Sequence, residues 1–162
     1  MRIHASCLCF IFLFTLMAHA GNAQADGLYA ANLQKKAEQG IADAQLRLGF
    51  MYLNGEGVPE DEFEAAKWLK KAAEQGNDKA QAMLGSMYHQ GRGVPKDYFE
   101  AVKLFKKAVA QGNNYAKLSL GLSYYYGDGV ILDKQKGCNL IRSAAEQGSK
   151  AAIEIYNENC VR

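Results

Sequence analysis

The chain has no excess of either charge, almost no histidine and no apolar run long enough to cross a bilayer. Nineteen Lys and Arg face seventeen Asp and Glu. The dense cationic footprint that phosphate neutralisation requires is therefore missing, which argues against nucleic acid and anionic membrane surfaces as partners. The apolar stretch from Cys7 to Ala18 is twelve residues long, short of the ~20 that span hydrocarbon as a helix. Period-two alternation of β-branched residues is absent too. Ala, Leu, Lys, Glu and Gln abound instead, a balance that favours helix over sheet.

That apolar stretch follows Met1-Arg2-Ile3-His4 and precedes Ala18-His19-Ala20, the order of a cleaved export signal. Residues 1–20 are expected to be removed, with cleavage near Ala20 to Ala25. The mature chain then holds 18 basic and 17 acidic residues, a single histidine, His89, and two cysteines, Cys138 and Cys160. In an exported chain an even pair of cysteines reads as a disulfide, two buried thiols being the alternative. One histidine and an oxidised pair leave too few ligands for a transition metal, and no Cys-x-x-Cys suggests redox work.

What the sequence does have is a repeat. A Gln-Gly pair recurs at Gly40, Gly76, Gly112 and Gly148, always 36 residues apart, and residues 41–76 share 20 of 36 positions with 77–112. Residues 113–148 follow the same frame with more drift. Residues 27–40 match only the second half of a repeat, and 149–162 only the first half. Within one repeat, Ala44, Leu48, Met51 and Tyr52 fall at helical spacing, with Gly49 where two helices can approach. This first helix, helix A, is expected to stop at Asn54-Gly55-Glu56-Gly57, and Pro59 prevents its resumption. Asp61 with Glu64, and Asp97 with Glu100, read as capping boxes opening helix B. In the third repeat Asp133 keeps the cap but Lys136 replaces the Glu, predicting a weaker box. Helix B buries Ala65, Trp68, Leu69, Ala72 and Ala73. Leu48, Leu84 and Leu120 are expected core residues. Tyr52, Tyr88 and Tyr124 are expected to pack between helices.

Such pairs cannot bury their apolar faces alone, so an all-α, right-handed solenoid of about three helix pairs with half-repeat ends is expected, spanning 27–162. Cys138 and Cys160 lie ten residues before and twelve after Gly148, close to opposite one another in antiparallel helices.

The run Ala44-Gln45-x-x-Leu48-Gly49-x-x-Tyr52-x-x-Gly55-x-Gly57-Val58, then Ala65-x-x-Trp68-x-x-Lys71-Ala72-Ala73-Glu74-Gln75-Gly76, resembles the Sel-one-like repeat, a subclass of the tetratricopeptide class. Ile131 for the loop Pro, Gly137 for the helix B Ala and Cys160 for the helix A Tyr depart from it. The resemblance implies an exported adaptor that binds protein. It also implies two narrower possibilities, an immunity protein against a toxic effector and a β-lactam-binding or β-lactam-hydrolysing enzyme.

The residues favour the non-enzymatic reading. Gly55-Glu56-Gly57 and its copies lack the third glycine and the strand-to-helix turn of a dinucleotide loop. Gly127-Asp128-Gly129 with Asp133 is too sparse for calcium. Ser86 and Ser143 lack the Ser-x-x-Lys spacing that activates a lactamase serine, and no acid stands near His89 in sequence. No cofactor is expected.

Positions that vary between repeats on one face of helix A are candidates for partner binding. They are Phe50, Leu53 and Asn54, with Leu46 at the start of the stripe; Ser86, His89 and Gln90, beside Ala82; and Leu118, Leu122, Tyr125 and Tyr126. The competing possibility is that flanking repeats bury some of them as ordinary core. The partner is expected to be a protein, and the chain a monomer or weak homodimer.

Overall fold

The computed structural model describes residues 27–161. The expected leader and its cleavage region lie outside the described residues. Eight helices and no strand are present among those described: α1 (27–38), then α2 (Ala42–Asn54), α3 (Glu62–Glu74), α4 (Asp78–Gln90), α5 (Tyr98–Ala110), α6 (Asn114–Tyr126), α7 (Lys134–Glu146) and α8 (Lys150–Asn159). Each helix packs on the next in sequence. The even-numbered helices are helix A, the odd-numbered ones helix B. None is long and apolar enough to cross a membrane.

Two kinds of turn alternate. Helix B ends in a Schellman motif: Asn77 N–H reaches Ala72 O at 3.1 Å and Gly76 N–H reaches Ala73 O at 3.0 Å. Gly76 takes a φ of 91°, which a side chain would strain. Asn77 Oδ1 at once accepts Ala80 N–H at 2.9 Å and opens the next helix A, and Asn113 does the same for α6. Helix A ends on left-handed Gly55, Gly91 and Gly127.

The capping boxes that the sequence suggests are only half made. Asp61 Oδ1 accepts Phe63 N–H and Glu64 N–H at 2.9 and 3.0 Å. Asp61 N–H, however, is already held by Tyr52 O at 2.9 Å, so Glu64 is free to pair with Lys67 instead. Tyr88 O and Tyr124 O satisfy Asp97 and Asp133 in the same way. The third cap therefore survives the loss of its Glu, though Asp133 holds only Lys136 N–H. Lys136 Nζ meanwhile donates to the Tyr124 hydroxyl at 3.0 Å and holds that phenol below its usual range.

Helix A meets helix B where side chains are missing. A Cβ on Gly85 would lie 2.7 Å from the Phe105 ring and 3.2 Å from Ala101 O. Gly137, in place of the Ala expected by the repeat, extends this. A Cβ there would stand 2.7 Å from Gly121 O and 2.8 Å from Tyr125 N, so α6 and α7 close up further than alanine allows. Leu48, Leu84 and Leu120 are buried, as are Leu69, Phe105 and Ile141. The apolar clusters they join draw on consecutive helices, α1 with α2 and α6 with α7 and α8. The three tyrosines pack against these clusters, and Tyr52 and Tyr88 each touch two of them.

Cys138 of α7 and Cys160 after α8 form a disulfide, with Cα atoms 5.6 Å apart and a sequence separation of 22. It clamps the final helix, in which Ala152 is the one fully buried residue and Ile155 and Tyr156 are only partly buried. Two outcomes follow. Gly85→Ala is expected to cost about 1–3 kcal/mol through overpacking, read by urea denaturation; an unchanged midpoint would show that α4 and α5 separate freely. Reducing the disulfide is expected to lose about 3 kcal/mol in the chain-entropy account and to release amide exchange in α8 before α2–α6. Uniform loss of protection would contradict the clamp.

Candidate functional site

The candidate residues sit on α2, α4 and α6, and the structure sorts them into three groups. Phe50 is 46% exposed and Tyr126 59% exposed, with Gln90 also at the surface and Ser86 half-buried. Leu53 packs against the core beneath α3 and α4, and Leu122 against the cluster that includes Ile155. Tyr125 is a strap to the last helix: its hydroxyl donates to Asn159 O at 3.4 Å and Lys134 lies 5.2 Å over its ring. Leu118 is a correction. It is 7% exposed and packed with Ile141, Ala144 and Ala152, because α7 and α8 cover the last repeat, so it belongs to the core. Ala82 is buried likewise.

Two candidates turn to the loops. Asn54 Nδ2 donates to Glu56 at 3.0 Å. His89 Nε2 lies 3.0 Å from Asp128 Oδ2, 39 residues on, and its ring meets Tyr98 edge-on at 4.9 Å. An acid does therefore stand beside His89, supplied by the next repeat, where sequence proximity gave none. The pair joins repeats rather than activating a nucleophile: Ser86 Oγ is engaged by Gln90 Nε2 and the Tyr115 hydroxyl, each at 3.1 Å. Among the described residues no three His, Cys, Asp or Glu side chains gather to hold a metal ion.

Around Phe50 the structure assembles what the repeat comparison missed. Tyr29 of α1, Leu46, Arg47 and Phe50 of α2, and Lys79 and Met83 of α4 line an open groove of about 450 Å³. Arg47 is steered by the Tyr29 hydroxyl at 3.5 Å. Lys79 and Met83 lie one helical turn apart, so widening the face by one position would have found them; Tyr29 comes from the half repeat, where no periodicity marks it.

Tandem helix pairs with shared cores and an uncovered row of varied side chains define an α-solenoid. The chain belongs to the Sel1 repeat family, whose model matches residues 42–77, 78–113 and 114–149. Proteins of this family generally mediate protein–protein interaction. Among solved structures, the chain is similar to a protective antigen of uropathogenic Escherichia coli strains, at 42% identity over 76% of the chain with a TM-score of 0.71. It spans only 26% of that antigen. A Sel1 repeat protein from Oxalobacter formigenes is 37% identical over 79% of the chain and 96% of its own length, with a TM-score of 0.68. Helicobacter pylori cysteine rich protein B follows at 25% identity over 78% of the chain and 96% of its own length, TM-score 0.59. No curated protein matches the sequence.

With Ser86 hydrogen-bonded away from His89 and no lysine one turn along, the oxidised protein is expected to leave nitrocefin intact. Turnover that disappears in Ser86→Ala would reverse that conclusion.

Proposed function

We propose that the chain is an exported adaptor that holds a protein partner on its helix A face. The mature form would begin near Gly21 and comprise the repeats 41–76, 77–112 and 113–148 between half repeats 27–40 and 149–162. The observation that carries the reading is the exposure of Phe50 on α2 and of Tyr115 and Tyr126 on α6, aromatic side chains that no core cluster uses. Aromatic anchors surrounded by half-buried aliphatic residues are the composition of binding hot spots. Their variation from repeat to repeat suits one particular partner rather than a repeated one. Ser86, Gln90 and His89 supply polar register between them. Neutralisation of a toxic effector is a narrower form of the same act, separated from general scaffolding by the partner's identity.

Export is supported by the leader-like first twenty residues and by the Cys138–Cys160 bridge, since such bonds persist outside the reducing cytosol. The periplasm or the exterior is the compartment we assign.

The test is affinity capture with crosslinking from envelope extracts, run beside Phe50→Ser with Tyr126→Ser. Both side chains stand in solvent, so circular dichroism is expected to be unchanged. Recovery of the dominant partner is expected to fall at least tenfold, as loss of about 2 kcal/mol at hot spots implies. Equal recovery by the variant would remove the helix A face from consideration.

A further inference from the structure

The helix B row carries a second surface that neither the core nor the helix A face explains. Phe63 of α3 and Phe99 of α5 occupy the same repeat position and are 70% and 77% exposed. Positions shared between repeats otherwise serve the fold, as Leu48 and Leu84 or Gly49 and Gly85 do. These two phenylalanines are shared and yet contribute almost nothing to packing.

Lysines repeat with them. Lys67, Lys70 and Lys71 follow Phe63, and Lys103, Lys106 and Lys107 follow Phe99, at the same offsets of four, seven and eight. Those offsets place Lys67, Lys70 and the phenylalanine along one helix face. A lysine stripe near a helix C-terminus is by itself ordinary solvation of the helix dipole; the exposed aromatics and a groove are what it leaves unexplained. That groove, of about 450 Å³, runs from Phe63 past Lys67 and Lys70 over a floor of Leu84, Tyr88 and Val94.

On α3 the three lysines are matched in number by Glu62, Glu64 and Glu74, the last of which lines the groove, so the unbalanced charge lies on α5. Lys67 pairs with Glu64 at 2.9 Å and Lys103 with Glu100 at 3.0 Å, while Lys71 lies 4.0 Å over the Trp68 ring. Lys70, Lys106 and Lys107 form no ion pair among the described residues. On α5 three lysines face the single acid Glu100. The third repeat has Gln135, Asn139 and Ser143 at three of the four matching places and keeps a cation, Arg142, at the fourth, so the aromatic part of the surface ends after two repeats.

We propose that the α3–α5 face docks an acidic polypeptide segment whose apolar side chains seat beside Phe63 and Phe99 while its carboxylates meet Lys70, Lys106 and Lys107. α3 and α5 each pack on α4, so at the ~8–10 Å spacing of packed helices they lie within about 20 Å of one another, and an extended chain advancing about 3.3 Å per residue covers both with roughly six to eight residues. A lipid surface fits less well: Glu60, Asp61 and Glu62 stand beside Phe63, so a peptide can set apolar side chains there and keep its carboxylates for the lysine end, whereas an anionic bilayer presents charge to both ends. This site is separate from the helix A face and stands or falls without it.

The experiment is panning of a random 12-residue peptide library on the oxidised full-length mature chain, followed by affinity measurement of the selected peptides and cosedimentation with phosphatidylglycerol vesicles. The wild type is expected to enrich peptides that combine Asp or Glu with aliphatic or aromatic residues. Their affinity should fall at least tenfold in Phe63→Ser with Phe99→Ser, and comparably in Lys70→Glu with Lys106→Glu, while Phe50→Ser leaves it unchanged. Circular dichroism confirms the fold of each variant. The proposal is overturned by the absence of an acidic consensus, by a consensus that survives both paired variants, by one lost in Phe50→Ser instead, or by vesicle binding that needs Phe63 and Phe99 when no peptide is selected.

Discussion

Gly49, Gly85 and Gly121 set the distance between the two helices of every repeat, and the remaining packing is arranged around that distance. A Cβ at these positions would stand 2.8, 2.7 and 2.8 Å from Leu69, Phe105 and Ile141, and 3.2, 3.2 and 3.1 Å from the carbonyls of residues 65, 101 and 137. The facing side chain differs in each repeat, so what is held constant is the approach of the backbones rather than one interlocking shape. Close approach in turn permits only the smallest residues opposite, which is why Ala65 and Ala101 are fully buried. Gly137 takes the same logic one step further, and its departure from the repeat tightens the last pair.

Between repeats a polar linkage accompanies the shared apolar clusters. Buried Gln45 donates to Ala37 O at 3.0 Å and accepts from Gln75 at 2.7 Å; Gln81 donates to Ala73 O at 3.1 Å and accepts from Gln111 at 3.0 Å. Each glutamine satisfies the end of the previous helix B and is itself held by its own, so a buried amide is matched on both sides and fixes the rotation of one repeat on the next. Lys117 breaks the series, reaching only Ser143 Oγ at 3.4 Å. Asn114 donates to Ala144 O at 3.2 Å but leaves its Oδ1 without a hydrogen-bond partner. The disulfide ties this same repeat to the terminal half repeat, where Ile153 stands at the glutamine's place. A covalent tie stands where the noncovalent register is weakest, so the C-terminal end is the part of the solenoid most dependent on oxidation.

Local chemistry made the fold legible. Asn-Gly and Gln-Gly endings, Asp caps and apolar stripes are each set by neighbours a few residues away, and they recur often enough to confirm one another. The capping boxes misled because Asp61 N–H is claimed by Tyr52 O, a partner that no local pattern names. The site was less legible for a related reason. Variation between repeats marks Phe50 and Leu118 alike, but whether a varied side chain meets solvent depends on what lies beyond it. Leu118 is covered by α7 and α8, whereas Phe50 opens onto a groove shared with Tyr29 and Met83. Asp128 beside His89 is likewise a contact between repeats, invisible to reasoning inside one helix.

The two exposed rows obey opposite rules, and this bears on how each can recognise anything. On helix A, corresponding positions hold Phe50, Ser86 and Leu122, so the surface changes with every step, as selection of a partner by shape would require. On helix B, Phe63 and Phe99 with their lysines present the same chemistry twice at the repeat spacing. Such a surface asks little of a partner's exact sequence and gains from engaging both copies at once, since the second contact is made at high effective concentration. A chain built this way can combine a selective contact on one side with a charge-guided, more tolerant one on the other. The glycine-set helix pair makes that possible, because it leaves Phe50 and Tyr126 on one side and Phe63 and Phe99 on the other exposed and outside the core clusters.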